Sequence, residues 1–88
     1  MSAVPELTAM QNIGREMARK LASIGIDSPE KLREAGAKQA FFQMKTLYPN
    51  VCLVHLYVLE GAIRDMEYNR LPEDIKRDLK SFSDALKG

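Results

Sequence analysis

Residues 7–26 read LTAMQNIGREMARKLASIGI. Two short apolar runs flank Gln11-Asn12-Ile13-Gly14. Each run is too short to persist as an isolated helix. Helix-forming residues stop at Gln11 and restart at once with Arg15 and Glu16. The spacing therefore predicts two short helices joined by a tight turn, not one continuous helix. Pro5 suits the first turn of the leading helix, which should run to Met10. The second should run from Gly14 to Ile24, with Met17, Ala18, Leu21 and Ala22 on its inner face. Arg15, Glu16, Arg19, Lys20 and Ser23 fall on the outer face, and Gly25 ends the helix.

The rest of the chain also reads as helix. In DSPEKLREAG, residues 27–36, Ser28 is a good N-cap, Pro29 fits the first helical position and Gly36 is a stop. AKQAFFQMKTLY follows, with Phe41, Met44 and Leu47 spaced for one face. Tyr48-Pro49 ends it, because a residue before proline is pushed out of the α region. Asn50 is the expected cap of VCLVHLYVLEGAIRDM, residues 51–66. That segment is apolar nearly all round, which marks the central helix of the domain. Gly61 within it costs about 1 kcal/mol relative to alanine, so a close crossing is expected there. EYNR reads as a loop, and Pro72 opens a final amphipathic helix with Ile75, Leu79, Phe82 and Leu86 inside. No stretch alternates apolar and polar as a half-buried strand requires. The expectation is an all-α fold: a compact bundle of five to six short helices, one domain over residues 1–88.

Composition narrows the function classes. The chain is 45% hydrophobic and 28% charged, as in an ordinary globular domain. Its formal net charge is only +1, so any nucleic-acid contact must come from a local patch rather than from bulk charge. A single cysteine excludes an internal disulfide and, with no signal-peptide pattern at the start, points to a reducing cytoplasm. The longest apolar stretch, Val51–Ile63, contains His55 and Glu60 and falls short of the roughly 20 residues a membrane span needs.

Two short helices around a tight turn, with an alanine and a leucine four and seven residues after the glycine, resemble a helix-hairpin-helix. In that motif the loop's hydrophobic residue, here Ile13, plugs between the helices while the second helix presents its N-terminus outward. The first amides of a helix lack internal partners and carry partial positive charge, which suits a phosphate oxygen. Asn12 stands where the motif has its first glycine, and asparagine is one of the few residues that tolerates positive φ. Its side chain crowds the place a phosphate would take. Glu16 adds a negative charge nearby, for which Lys20 at i+4 is the expected partner. The candidate phosphate contacts are Asn12, Gly14 and Arg15, with Arg19 in support. The competing reading is that Asn-Ile-Gly is only a compact turn between packed helices.

A wider pattern adds to this. Asn12-Ile13-Gly14, Gly25-Ile26-Asp27, Cys52-Leu53, the Leu59–Ile63 run and Leu71-Pro72 together resemble the C-terminal domain of the TfoX family, from about Leu7 to Leu79. That family is named for a regulator of natural competence for DNA uptake. The resemblance implies a helix-hairpin-helix-like all-α fold without a catalytic role. The family's full-length regulators carry a separate N-terminal domain, which these 88 residues do not include.

Other chemistry-bearing residues read as structural. Cys52 and His55 share a helical face, but no further Cys or His exists to complete a zinc site, and no third group orients a catalytic pair. Apolar neighbours predict a buried, inert thiol at Cys52. Glu60 is expected to pair with Arg64 at i+4. Tyr48, Tyr57, Tyr68 and Phe41 fall mostly at core spacing, with Phe42 and Tyr68 the most exposed. No enzyme, cofactor, metal or small-molecule substrate is expected. Two readings remain: a regulatory module with weak, non-specific DNA contact through the hairpin, or a protein-interaction module, including a homodimer, using apolar surface near Phe42 or on the last helix.

Overall fold

The break is real but wider than expected: the leading helix stops at Thr8 rather than Met10, and residues 9–14 are non-helical. In a computed structural model describing residues 4–87, α1 (Val4–Thr8) and α2 (Arg15–Ser23) are separate helices packed on each other. They are followed by α3 (Pro29–Ala35), α4 (Ala37–Leu47), α5 (Leu53–Arg64), a single 3₁₀ turn at Tyr68–Arg70 and α6 (Glu73–Lys87). No strand occurs among the described residues. EYNR is thus partly the 3₁₀ turn rather than a plain loop.

α5 occupies the centre and packs on α3, α4, the 3₁₀ turn and α6. Leu56 and Leu59 on α5 are fully buried in one cluster with Ala40, Phe41 and Met44 of α4, Leu32 of α3 and Leu79 of α6. Burying a leucine of this kind contributes about 2 kcal/mol, and truncating it to alanine costs roughly 2–5 kcal/mol. Leu7, Ile13, Met17, Ala18 and Leu21 bring the hairpin into the same cluster.

Three sequence expectations are corrected. Ala22 and Leu47 are exposed, Leu47 at 55%, whereas Leu21 and Met44 in the same last turns take the buried positions. α5 is capped by Cys52, not Asn50. The Val51 amide instead donates to the Tyr48 carbonyl at 3.0 Å, closing a turn with Val51 buried, so the chain enters the helix only after Cys52. Cys52 is therefore exposed at the helix entrance rather than buried in its body.

Gly61 does mark a close approach, but to a loop rather than a helix. A Cβ there would lie 2.5 Å from Asn12 Nδ2, 2.7 Å from the Met66 carbonyl oxygen and 3.2 Å from Tyr68 Cα. The hairpin turn and the α5–α6 connection both rest on this bare position.

Candidate nucleic-acid interface

The hairpin turn is built from local hydrogen bonds. The amides of Ala9, Met10 and Ile13 donate to the carbonyls of Glu6, Leu7 and Met10 at 3.3, 3.0 and 3.3 Å. Asn12 then takes φ +72°, the left-handed conformation that turns the chain back. Ile13 is buried and fills the space between α1 and α2.

The Asn12 side chain points into the fold. Its Nδ2 donates to the Met66 carbonyl at 2.9 Å, and its Oδ1 accepts from the Tyr68 amide at 3.3 Å. One amide group thus ties the hairpin to the segment after α5, across 54 and 56 residues of sequence. Neither end of the side chain is left facing outward for a phosphate. Nothing local in the sequence marks Met66 and Tyr68 as its partners, since both supply main-chain groups.

Gly14 is the N-cap of α2, with extended φ −95° and ψ −178°. Any residue adopts that conformation, and a Cβ built at Gly14 has no atom within 4 Å. Neither backbone strain nor crowding within the chain demands a glycine here. The first intrahelical bond of α2 is Ala18 N–H to the Gly14 carbonyl at 3.0 Å. Amides before Ala18 have no carbonyl of their helix to bond, and no side chain caps them. At α3, by contrast, Ser28 Oγ accepts from the Lys31 amide at 3.2 Å.

Arg15 and Arg19 are exposed and enter no ion pair among the described residues. The expected Glu16–Lys20 pair does not form. Lys20 Nζ instead stands 5.6 Å from the centre of the Tyr48 ring, a cation–π arrangement. The Tyr48 hydroxyl in turn shares a 2.8 Å hydrogen bond with Ser23 Oγ. The hairpin face therefore offers open amides at Gly14 and Arg15 and two unpaired guanidinium groups, with the Glu16 carboxylate unneutralised beside them. Asn12 supplies the turn.

Cys52 and His55 meet as an entrance to α5. The Cys52 amide donates to His55 Nδ1 at 3.1 Å, and Cys52 Sγ lies 3.5 Å from the same nitrogen. That bond uses the Nδ1 lone pair and so favours the neutral ring. Burial first, then the charge of Lys20, holds the His55 pKa below its ordinary 6.5. Among the described residues no group of three His, Cys, Asp or Glu side chains could hold a metal ion. Glu60 pairs with Arg64, as its spacing predicts. Phe42 and Tyr68 are the exposed aromatics, at 49% and 40%. No described helix is long and apolar enough to cross a membrane.

Comparison with known proteins agrees with this architecture. The model of a family described as the TfoX C-terminal domain matches residues 4–83. A triclinic crystal structure of an uncharacterized protein from Listeria monocytogenes is 35% identical. It superposes with a TM-score of 0.91, over 93% of each chain. A tetragonal crystal structure of a protein of unknown function from the same organism is also 35% identical, with a TM-score of 0.88. That match covers 91% of this chain and 99% of the other. No curated protein matches the chain.

Proposed function

The chain belongs to the TfoX C-terminal domain family, and from that premise we propose that it is a non-catalytic regulatory module that contacts nucleic-acid phosphate through its hairpin. The α2 amides at Gly14 and Arg15 take a phosphate oxygen, and Arg15 and Arg19 supply the charge. Asn12 acts by holding the turn that presents them. Contacts of this kind position a protein on a duplex without reading its sequence. With a net charge of +1, affinity is weak and falls steeply with salt.

The observation that carries the reading is Gly14. It occupies an N-cap with open space around its Cβ position, where a serine would cap α2 and stabilise it. A bare cap that the fold does not require is what close approach of an outside group requires. The test is a fluorescence-anisotropy titration of labelled duplex DNA at low and physiological salt. Arg15→Ala/Arg19→Ala should lose most of the binding and lower the salt slope by about 2. Glu16→Lys should tighten binding. Wild-type protein that binds no duplex even at low salt refutes the reading.

One observation favours a second reading as a protein-interaction module. Phe42, Lys45, Thr46 and Leu86 line a shallow groove of about 160 Å³ between α4 and α6. A concentration-dependent mass in light scattering that Phe42→Ser abolishes would support self-association there.

A further inference from the structure

The two sides of α6 carry opposite charge. Asp74 and Asp78, one turn apart, line a cleft against α4 together with Lys38, Glu60 and Arg64. The cations of that cleft are neutralised: Lys38 Nζ lies 2.7 Å from Asp78 Oδ2, and Arg64 pairs with Glu60. The other side of α6 faces α5 across a second groove of about 430 Å³, lined by Tyr57, Glu73, Lys76, Arg77 and Lys80. Here three cations meet one carboxylate. Lys76 and Arg77 enter no ion pair among the described residues, and Lys80 is held only by Asp84 on its own helix, at 3.6 Å. The cations of α6 thus gather on one side, where Lys76, Arg77 and Lys80 outnumber Glu73 and Asp84, in a chain whose whole net charge is +1.

From this we infer that the α5–α6 groove binds a single-stranded nucleic-acid backbone, with Lys76, Arg77 and Lys80 holding successive phosphates. Lys76 and Lys80 are four residues apart, about 6 Å along the helix, a separation comparable with that of neighbouring phosphates in one strand. The choice of a single strand over a duplex rests on Tyr57, an aromatic face beside these cations on which an unpaired base can stack. Half-buried Tyr57 gives the groove an aromatic wall, and its hydroxyl makes a long 3.5 Å contact with the Lys76 carbonyl. A basic groove with an aromatic wall is the usual platform for a single strand. The helix that carries Tyr57 also carries the position on which the hairpin turn rests. Tyr57 lies one turn before Gly61 on α5, and Gly61 is where the Asn12 turn rests. The choice of nucleic acid as partner rests on the hairpin reading, whereas the groove residues are distinct from it.

The experiment compares wild type, Lys76→Gln/Arg77→Gln/Lys80→Gln and Arg15→Ala/Arg19→Ala. Anisotropy is read with a labelled oligothymidylate of about 16 nucleotides and with a duplex of equal length. Thermal melting by circular dichroism confirms that each variant folds. Wild type should prefer the single strand. The groove variant should lose roughly tenfold or more in affinity for it, and its salt slope should fall by about 2. A groove variant that binds the single strand like wild type overturns the inference, whatever the hairpin variant does. A hairpin variant that binds duplex like wild type, beside a groove variant that loses the single strand, overturns the hairpin reading and leaves the groove standing. Absence of any binding at low salt overturns both. Displacement of the oligonucleotide by poly-glutamate at equal charge concentration overturns the assignment to nucleic acid.

Discussion

Replacing Asn12 with alanine should destabilise the protein by about 2 kcal/mol. Two contributions add up to that figure. Asn12 holds φ +72°, and placing an ordinary L-residue there costs roughly 1 kcal/mol more than asparagine. The alanine also removes the bonds to the Met66 carbonyl and the Tyr68 amide. Each net hydrogen bond is worth about 0.5–1.5 kcal/mol, and the lower half of that range applies at a half-buried site. Asn12→Gly separates the two, since glycine keeps the left-handed turn and loses only the bonds. It should cost about 1 kcal/mol. Urea unfolding monitored by circular dichroism reads both values, and for a chain of this size the alanine variant's Tm should fall by roughly 8–16 °C. If Asn12→Gly is as stable as wild type, the cross-link to the α5–α6 connection contributes nothing and the account of the turn is wrong. If alanine and glycine variants cost the same, the left-handed backbone is not what selects asparagine.

Gly61→Ala should also destabilise, by roughly 1–3 kcal/mol, even though alanine favours helix. The new Cβ meets the Met66 main-chain carbonyl, which cannot move aside as a flexible side chain could. Denaturant unfolding checks this, and a stabilised variant would contradict it. Cys52→Ser should raise stability by up to about 1 kcal/mol, because serine is the better N-cap. The native Cys52 thiol should react with an aromatic disulfide reagent at the rate of an exposed thiol, without prior unfolding. Stability should decline as pH falls below about 6.5. The folded His55 pKa lies below its ordinary value, so the unfolded chain takes up a proton first and is favoured as pH drops through the folded value. His55→Gln should flatten that part of a pH–stability profile measured by chemical denaturation.

Most of the fold was legible because its signals are local. The Ser28-Pro29 start, the Tyr48-Pro49 stop and the apolar face of α2 each act within a few residues and each appears where its chemistry places it. Asn50 looked like a cap because asparagine favours that role, but a turn closed from Val51 to Tyr48 moved the helix start to Cys52. That shift also brought the thiol to the surface. Leu47 matched the helical period, yet the helix ends at that residue, so periodicity alone overstated its burial. At the hairpin, the need for positive φ at Asn12 could be read from the residue and its neighbours. The destination of its side chain could not, because the partners are main-chain groups more than 50 residues away. Likewise Glu16 and Lys20 have the spacing of an ion pair, but Tyr48 arrives from α4 and takes the ammonium.

The most direct test of the hairpin reading is to measure stability and duplex affinity together on Gly14→Ser. Serine at this N-cap has open space and an extended backbone to enter, and it can bond an α2 amide that now has no cap. The variant should be more stable by a few tenths of a kcal/mol and should bind duplex DNA several-fold more weakly, because its hydroxyl takes the amide that a phosphate would use. A variant with equal or tighter duplex binding would mean that Gly14 does not receive phosphate and that the Asn-Ile-Gly break serves only to turn the chain.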